Sequence, residues 1–183
     1  ANSDPRFFCD AMLGGLARWL RAAGYDASWQ SGIGDRQLIQ QTQAEAAITD
    51  GASVLLVDAL DSGSGAAIEA NATSKGVKVI DYDRLVKGGA AGRIYVSFDN
   101  VKVGQLIGQG EIDCIKEWNV QKPNILVMNG DPTDNNASLF AQGYNGILKP
   151  LFDNNTYVKV GEPAGTWTPA VAATTFDQQY TAH

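Results

Sequence analysis

Short apolar runs that alternate with helix-forming segments are the feature that most constrains the fold of this chain. Residues 53–57 read Ser-Val-Leu-Leu-Val, and such unbroken apolar strands are typical of parallel sheets with both faces covered. Residues 12–23 instead carry apolar side chains at helical spacing and stop at Gly24. Strands that alternate with helices build βαβ units, so the sequence predicts an α/β fold with a doubly wound parallel sheet.

The same patterns along the whole chain predict its elements and two lobes. Strands are predicted at residues 6–9, 26–29, 53–57, 77–80, 94–97, 125–128 and 156–160, and helices at residues 12–23, 35–50, 63–74, 102–118, 135–148 and 169–180. Asp35 is the expected N-cap of the second helix. The pattern breaks near residues 97–100, which predicts a first lobe at residues 1–100 and a partial second lobe at residues 101–183. Two strands are few for an independently stable parallel sheet, so the second lobe looks incomplete.

Charge and residue usage exclude several classes of function. The net charge is −6, and the chain lacks the clustered Lys and Arg that bind phosphates, so we expect no nucleic-acid partner. No apolar run approaches the ~18 residues that a membrane helix needs, so we expect no membrane insertion. His183 is the only histidine and is terminal, which leaves histidine-based nucleophilic catalysis and zinc binding without their usual residue. The sequence therefore predicts a protein that is not an enzyme and uses no cofactor.

The cysteines and two of the tryptophans are predicted to be structural. Cys9 and Cys114 lie far apart in the sequence and match no zinc-finger spacing. We expect both to be unpaired core residues. Trp19, on the first helix, and Trp29, after the second strand, are likewise expected to pack inside the protein.

Polar residues follow two of the predicted strands at the point where each strand ends. Asp83 and Arg84 come after residues 77–80, and Asp131, Asn135 and Asn136 come after residues 125–128. In an open α/β sheet, ligands bind beyond the carboxyl ends of the strands. These residue types therefore predict a site for a polyhydroxylated ligand. Two structural interpretations stay open, a surface salt bridge at the first strand end and N-capping of a helix at the second.

Residues 41–183 resemble the periplasmic sugar-binding proteins of ABC importers, most closely the xylose-binding type. The matching pieces are Gln-Thr-Gln-Ala-Glu-Ala-Ala-Ile at residues 41–48, Gly-Ala-Ser-Val-Leu-Leu-Val-Asp at 51–58, Asp-Tyr-Asp-Arg at 81–84, Ser-Phe-Asp-Asn at 97–100, and Gly-Asp-Pro-Thr-Asp-Asn-Asn at 130–136. The resemblance implies a Rossmann-like, periplasmic-binding-protein type I fold. It also implies a monosaccharide ligand, importer membrane subunits as partners, and a periplasmic or extracellular location. The chain begins Ala-Asn-Ser-Asp-Pro without a signal peptide, which suits a processed export product or a trimmed chain.

The resemblance also assigns roles to particular residues. Asp83 and Arg84 from the first lobe would contact the sugar, together with Asp131, Asn135, Asn136 and Trp167 from the second. Trp167 would place its indole ring against the C–H face of the sugar, and Asn100 would lie near the hinge. The family's chain continues beyond the position of His183, so we expect weak or absent binding by this chain alone, unless another chain completes the lobe. A homodimer or a second chain would be one way to complete the unfinished lobe.

Residues 6–40 resemble a different family, the amino-terminal part of the Mut7-C PIN-like proteins. The matching run is Cys-Asp-Ala-Met-Leu-Gly-Gly-Leu-Ala-Arg-Trp-Leu-Arg-Ala-Ala-Gly-Tyr-Asp at residues 9–26. Together the two resemblances suggest an engineered or recombined chimera. Two further hypotheses therefore stay open. One is a Mg²⁺-dependent ribonuclease that uses Asp10, Asp58 and Asp83 as metal ligands; the other is an engineered α/β chimera without ligand function.

Overall fold

The computed structural model describes residues 5–9, 14–29 and 37–182. The chain divides into two compact units, Ala1–Ser97 and Phe98–His183. The first unit contains β1 (Arg6–Cys9), α1 (Gly14–Ala22), β2 (Asp26–Trp29), α2 (Gln37–Thr49), β3 (Val54–Val57), α3 (Gly65–Ser74), β4 (Lys78–Tyr82) and β5 (Ile94–Val96). The second unit contains α4 (Asn100–Glu117), β6 (Asn124–Leu126), α5 (Asn135–Asp153), β7 (Val158–Gly161) and α6 (Pro169–Ala182).

The first unit is a parallel sheet with helices on both faces. Its strand order is β2-β1-β3-β4-β5, and every neighbouring pair is parallel. Adjacent residues of β3 point to opposite faces, so Leu55 packs in a core with residues of α2 and α3, whereas Leu56 packs with Cys9 and with Ala17 of α1. This arrangement confirms the predicted α/β class and the doubly wound sheet.

The second unit is built on two parallel strands, β6 and β7. Its core joins Ile115 of α4, Ile125 of β6, and Tyr144 and Leu148 of α5. Helices α4 and α5 touch where glycines let the backbones approach. A Cβ on Gly143 would lie 2.2 Å from the carbonyl oxygen of Val101, and one on Gly104 would lie 2.2 Å from that of Phe140. The crossing therefore has no room for a side chain at either glycine.

The predicted elements all appear; β1 and β2 have the predicted ends, and most of the others have shifted ends. α4 begins at Asn100, two residues before the predicted start, because the side chain of Asp99 accepts the N–H of Lys102 at 2.9 Å and caps the helix. α5 continues to Asp153 with Pro150 inside it, whereas the prediction stopped at Leu148. A proline usually marks a helix end, and here the helix runs past it.

Two packing predictions are wrong. Trp19 is 76% exposed, because the face of α1 that meets the sheet runs through Leu16, Ala17 and Leu20 and leaves Trp19 outside it. Cys114 is exposed on α4, whereas Cys9 is buried as expected. The side chain of Trp29 and the predicted cap Asp35 lie outside the part of the chain that the structure describes. Within that part, the helices are too short or too polar to cross a bilayer.

Candidate functional site

In the first unit, Asp83 forms a sharp turn directly after β4. Its φ is +67°, a left-handed conformation that Asp adopts more readily than most residues. Both backbone polar groups of Asp83 are hydrogen-bonded. Its N–H donates to the carbonyl of Val96 at 2.8 Å, and its carbonyl accepts the Tyr95 hydroxyl at 3.2 Å. The neighbouring strand β5 therefore fixes the position of Asp83.

Arg84 is held in a largely buried ion pair. Its Nε lies 3.5 Å from Oδ1 of Asp58, and the two side chains are 14% and 6% exposed. Its Nη1 also donates to the carbonyl of Leu60 at 3.3 Å. Of the interpretations drawn from the sequence, a salt bridge at the strand end is present, but it is mostly buried rather than on the surface. Asp58 orients the guanidinium within its own unit.

A buried amide fixes the turn that holds Arg84. Gln40 of α2 donates from Nε2 to the carbonyl of Asp58 at 2.8 Å, and its Oε1 accepts the N–H of Leu60 at 3.2 Å. The first bond is buried and the second partly buried, and a buried amide needs such partners. The sequence analysis missed this residue because a glutamine on a helix carries no local sign of burial.

A second buried cluster is built around Asp81, a residue of β4. Asp81 and Glu69 are both 0% exposed, and Nε of Arg93 lies 2.9 Å from Oδ2 of Asp81 and 3.3 Å from Oε1 of Glu69. Burial and a hydrogen bond with Asp81 raise the pKa of Glu69 from 4.5 to about 7, against the opposing effects of the Ala90 N–H and Arg93. The sequence analysis missed this cluster too. Its only signal is the single charge in the otherwise uncharged helix α3.

In the second unit, Asp134 joins a helix start to a tryptophan. Its Oδ1 accepts the N–H of Asn136 at 2.9 Å and caps α5, and its Oδ2 accepts the indole N–H of Trp167 at 3.0 Å. The indole lies directly on Gly130, where a Cβ would come within 2.1 Å of the ring. Phe140 meets the indole edge-on, with ring centroids 6.4 Å apart. These contacts fix the orientation of Trp167, which stays 40% exposed.

Asn136 is paired inside the second unit. Its Oδ1 accepts a hydrogen bond from Nδ2 of Asn100 at 2.9 Å, and both residues are 3% exposed. This bond joins the first turn of α5 to the first turn of α4. N-capping at the predicted position is present, with Asp134 as the cap and Asn135 as the first helical residue.

The loop before α5 is held by further hydrogen bonds. The carbonyl of Asp131 accepts the N–H of Asp134 at 3.0 Å. The side chain of Asn129 accepts a hydrogen bond from the Tyr144 hydroxyl, and burial, followed by the charge of Glu162, raises the pKa of Tyr144. Asp131 and Asn135 remain partly exposed.

The predicted site residues thus form one group in each unit, Asp83 with Arg84 in the first and Asp131, Asn135, Asn136 and Trp167 in the second. The alternative metal site finds no support. Asp58 faces the guanidinium of Arg84, Asp10 lies outside the described residues, and among the described residues no group of three His, Cys, Asp or Glu is arranged to hold a metal ion.

The fold and these strand-end residues define a class, the open α/β proteins that present polar groups beyond the carboxyl ends of their strands. The profile of the periplasmic binding protein domain family matches residues 1–183. The chain belongs to this family.

The relatives that resemble the chain include sugar receptors. It is 35% identical over 176 residues to the multiple sugar-binding periplasmic receptor ChvE of Rhizobium radiobacter, covering 92% of this chain and 49% of that protein. It is 32% identical over 155 residues to the D-xylose-binding periplasmic protein of Escherichia coli K12, covering 84% of this chain and 45% of that one. The chain spans about half the length of these curated relatives.

Two solved structures share the fold of this chain. An ABC transporter solute-binding protein of Clostridium phytofermentans with bound β-D-glucose superposes with a TM-score of 0.74 at 29% identity, over 84% of this chain and 51% of that one. The myo-inositol-binding protein of Caulobacter superposes with a TM-score of 0.81 over 100% of this chain and 62% of that one. At 20% identity this second likeness bears on the fold alone.

The expectation that residues 6–40 come from a Mut7-C-like protein, and that the chain is a chimera, is not supported. The family profile begins at residue 1, and the match to ChvE covers 92% of the chain, so residues 6–40 need no second origin. Neither the ribonuclease hypothesis nor the homodimer gains support from these comparisons.

Proposed function

We propose that this chain binds a monosaccharide as the receptor part of an ABC importer and does not act as an enzyme. The observation that carries the proposal is the 35% identity to a multiple sugar-binding receptor along 92% of the chain. ChvE and the D-xylose-binding protein are both named as periplasmic, which supports a periplasmic or extracellular location, and the Clostridium phytofermentans protein is named as an ABC transporter solute-binding protein, which supports importer membrane subunits as partners. A second relative is named for D-xylose, so a xylose-like pentose or a hexose is the proposed ligand class.

In the first unit, we assign sugar contacts to Asp83 and Arg84. The Asp83 carboxylate accepts hydrogen bonds from hydroxyls, and the Arg84 guanidinium donates them. Because Asp58 and Gln40 fix the surroundings of Arg84, little side-chain freedom is lost when a ligand binds. Each hydrogen bond to such a charged group contributes roughly 1.5–3 kcal/mol.

In the second unit, we assign contacts to Asp131, Asn135, Asn136 and Trp167. Asp134, Gly130 and Phe140 hold the indole of Trp167 in one orientation, and its exposed part offers an apolar surface to the C–H face of a sugar. Asn100 keeps its proposed place near the hinge, three residues after the boundary between the units.

Calorimetric titration of the 183-residue chain with D-xylose and D-glucose tests the proposal. We expect a dissociation constant of about 1 mM or tighter for at least one of the sugars. Arg84→Ala should weaken that binding at least about tenfold, since a charged hydrogen-bonding group is lost.

The matched control is Arg18→Ala, which removes the same side chain from an exposed position of α1 and should leave the titration unchanged. Absence of heat with either sugar at high concentration would overturn the proposal. Equal binding by wild type and Arg84→Ala would remove Arg84 from the site.

A further inference from the structure

A side chain closes the turn that carries Asp83 and Arg84. Oδ2 of Asp81, at the end of β4, accepts the N–H of Val86 at 3.0 Å, so the two residues on either side of Tyr82–Leu85 are joined. Val86 is itself 0% exposed, and its side chain packs so closely on Gly65 that a Cβ there would lie 2.7 Å from Cγ2 of Val86. The carboxylate and this apolar anchor define the path of the turn.

One guanidinium ties the same carboxylate to the segment that follows the turn. Arg93 donates from Nε to Oδ2 of Asp81 at 2.9 Å, from Nη1 to the carbonyl of Ala90 at 3.0 Å, and from Nη2 to the carbonyl of Val86 at 2.6 Å. Two backbone carbonyls of the segment at residues 86–93 therefore accept hydrogen bonds from the side chain of Arg93. The segment returns the chain from the turn to β5.

Glu69 of α3 also holds this segment. Its Oε2 accepts the N–H of Ala90, and Gly89 covers the carboxyl group so tightly that a Cβ there would lie 2.3 Å from Oε2. The charged groups that face Glu69 are Asp81 from β4 and Arg93 from before β5. α3 carries no other charge, and Lys87 of the segment and Glu45 of α2, the element packed on α3, are exposed.

We propose that Glu69, Asp81 and Arg93 form a pH-sensitive clasp that positions Asp83 and Arg84, so that loss of the Glu69 proton loosens the turn and weakens ligand binding. This inference rests on the proposed sugar-binding function. While Glu69 is protonated, one guanidinium balances one carboxylate inside the protein. Ionised Glu69 adds a second buried negative charge that has only the same guanidinium to face. The pKa of about 7 for Glu69 places this change near neutral pH.

The test compares wild type with Glu69→Gln, which keeps the size and hydrogen-bonding oxygen of the side chain but cannot ionise. Sugar is titrated below and above the Glu69 pKa, at roughly pH 5.5 and roughly pH 8.5. We expect wild-type affinity to fall at least about fivefold at the higher pH, and Glu69→Gln to show no such fall. Glu45→Gln, the same change at an exposed site on α2, should follow wild type. If Glu69→Gln shows the same fall in affinity at the higher pH as wild type, the proposal is overturned.

A measurement without sugar separates this inference from the proposed function. Amide hydrogen exchange of Val86 and Ala90, corrected for the intrinsic effect of pH, reports on the clasp directly. Their protection should drop at the higher pH in wild type and persist in Glu69→Gln; equal protection at both pH values in wild type refutes the clasp. If wild type binds no sugar, the proposed function fails, and the exchange data still decide whether the clasp exists.

Discussion

The two units support their candidate ligand residues by different means. In the first unit, fully or largely buried charges do so: Asp58 holds Arg84, and Asp81 with Arg93 closes the turn at Asp83. In the second, the supports around Asn136 and Trp167 are an amide pair, a helix cap and a glycine contact. Among the described residues, only those of the first unit bury two carboxyls against one guanidinium.

This difference separates two kinds of sensitivity. Buried charges are costly to leave unpaired, so the first unit should respond strongly to pH and to the loss of one partner. The amide pair and the close backbone contacts of the second unit carry no charge, so these supports should respond to volume, whereas the buried Asp134 cap is its charged support. The predictions below test this division, and hydrogen exchange can read each unit separately.

The largest effect is expected for Arg93→Met. The substitution keeps much of the apolar stem but leaves the Asp81 carboxylate buried without its cation, and breaking such a pair costs about 3–5 kcal/mol. Exchange protection in β4 and β5 should fall accordingly, while α4 and α5 keep theirs. Arg18→Met, at an exposed position, should change stability by less than about 0.5 kcal/mol. If Arg93→Met also lowers the free energy of unfolding by less than about 0.5 kcal/mol, the cluster adds no stability.

Glu69→Gln should alter how stability depends on pH. The Glu69 pKa is raised from 4.5 to about 7 in the folded protein, so between these values the folded state keeps a proton that the unfolded state releases. The free energy of unfolding therefore falls as pH rises from 4.5 to about 7 and stays lower above it, by roughly 3 kcal/mol from this group.

Urea unfolding of both proteins at several pH values measures that effect. The variant should gain stability relative to wild type as pH rises, and the gain should appear in exchange protection of the first unit only. A constant difference across the range would mean that Glu69 keeps an ordinary pKa.

The smallest effect is expected at the helix crossing of the second unit. Gly143→Ala forces a Cβ to within 2.2 Å of a backbone oxygen, which should cost about 1–3 kcal/mol. Gly146→Ala makes the same change on the same helix where nothing lies within 4 Å, and it should stabilise α5 by about 0.5–1 kcal/mol. Thermal unfolding followed by circular dichroism gives both values. Two stabilising substitutions would show that the helices can move apart without cost.

Periodicity and turn residues were enough to predict the fold. The unbroken apolar run of β3 predicts a strand covered on both faces, and Gly24 and Gly76 end α1 and α3 with positive φ. These signals are local, so they survive without knowledge of the tertiary structure. The exposed position of Trp19 was missed because helical spacing shows that a face is apolar without showing how wide the contact with the sheet is.

The support around the candidate site could not be predicted in the same way. Gln40 and Asp58 are 18 residues apart, and Glu69 and Ala90 are 21 apart, so neither pair leaves a pattern within one element. Whether a polar side chain is buried depends on which segments the sheet brings together. The ligand residues other than Trp167 could be proposed because they follow strand ends, whereas Trp167 was proposed from the family resemblance. Their assignment remains a prediction.

The two cysteines differ in how easily a reagent can reach them. Cys114 is exposed on α4, so a thiol-reactive dye can attach there while the protein stays folded, whereas Cys9 is enclosed beneath α1. Modification of Cys9 requires the first unit to open, so its rate follows how often that opening occurs. A single thiol reagent thus labels Cys114 in the second unit at once, and the slower labelling of Cys9 measures how fast the first unit opens.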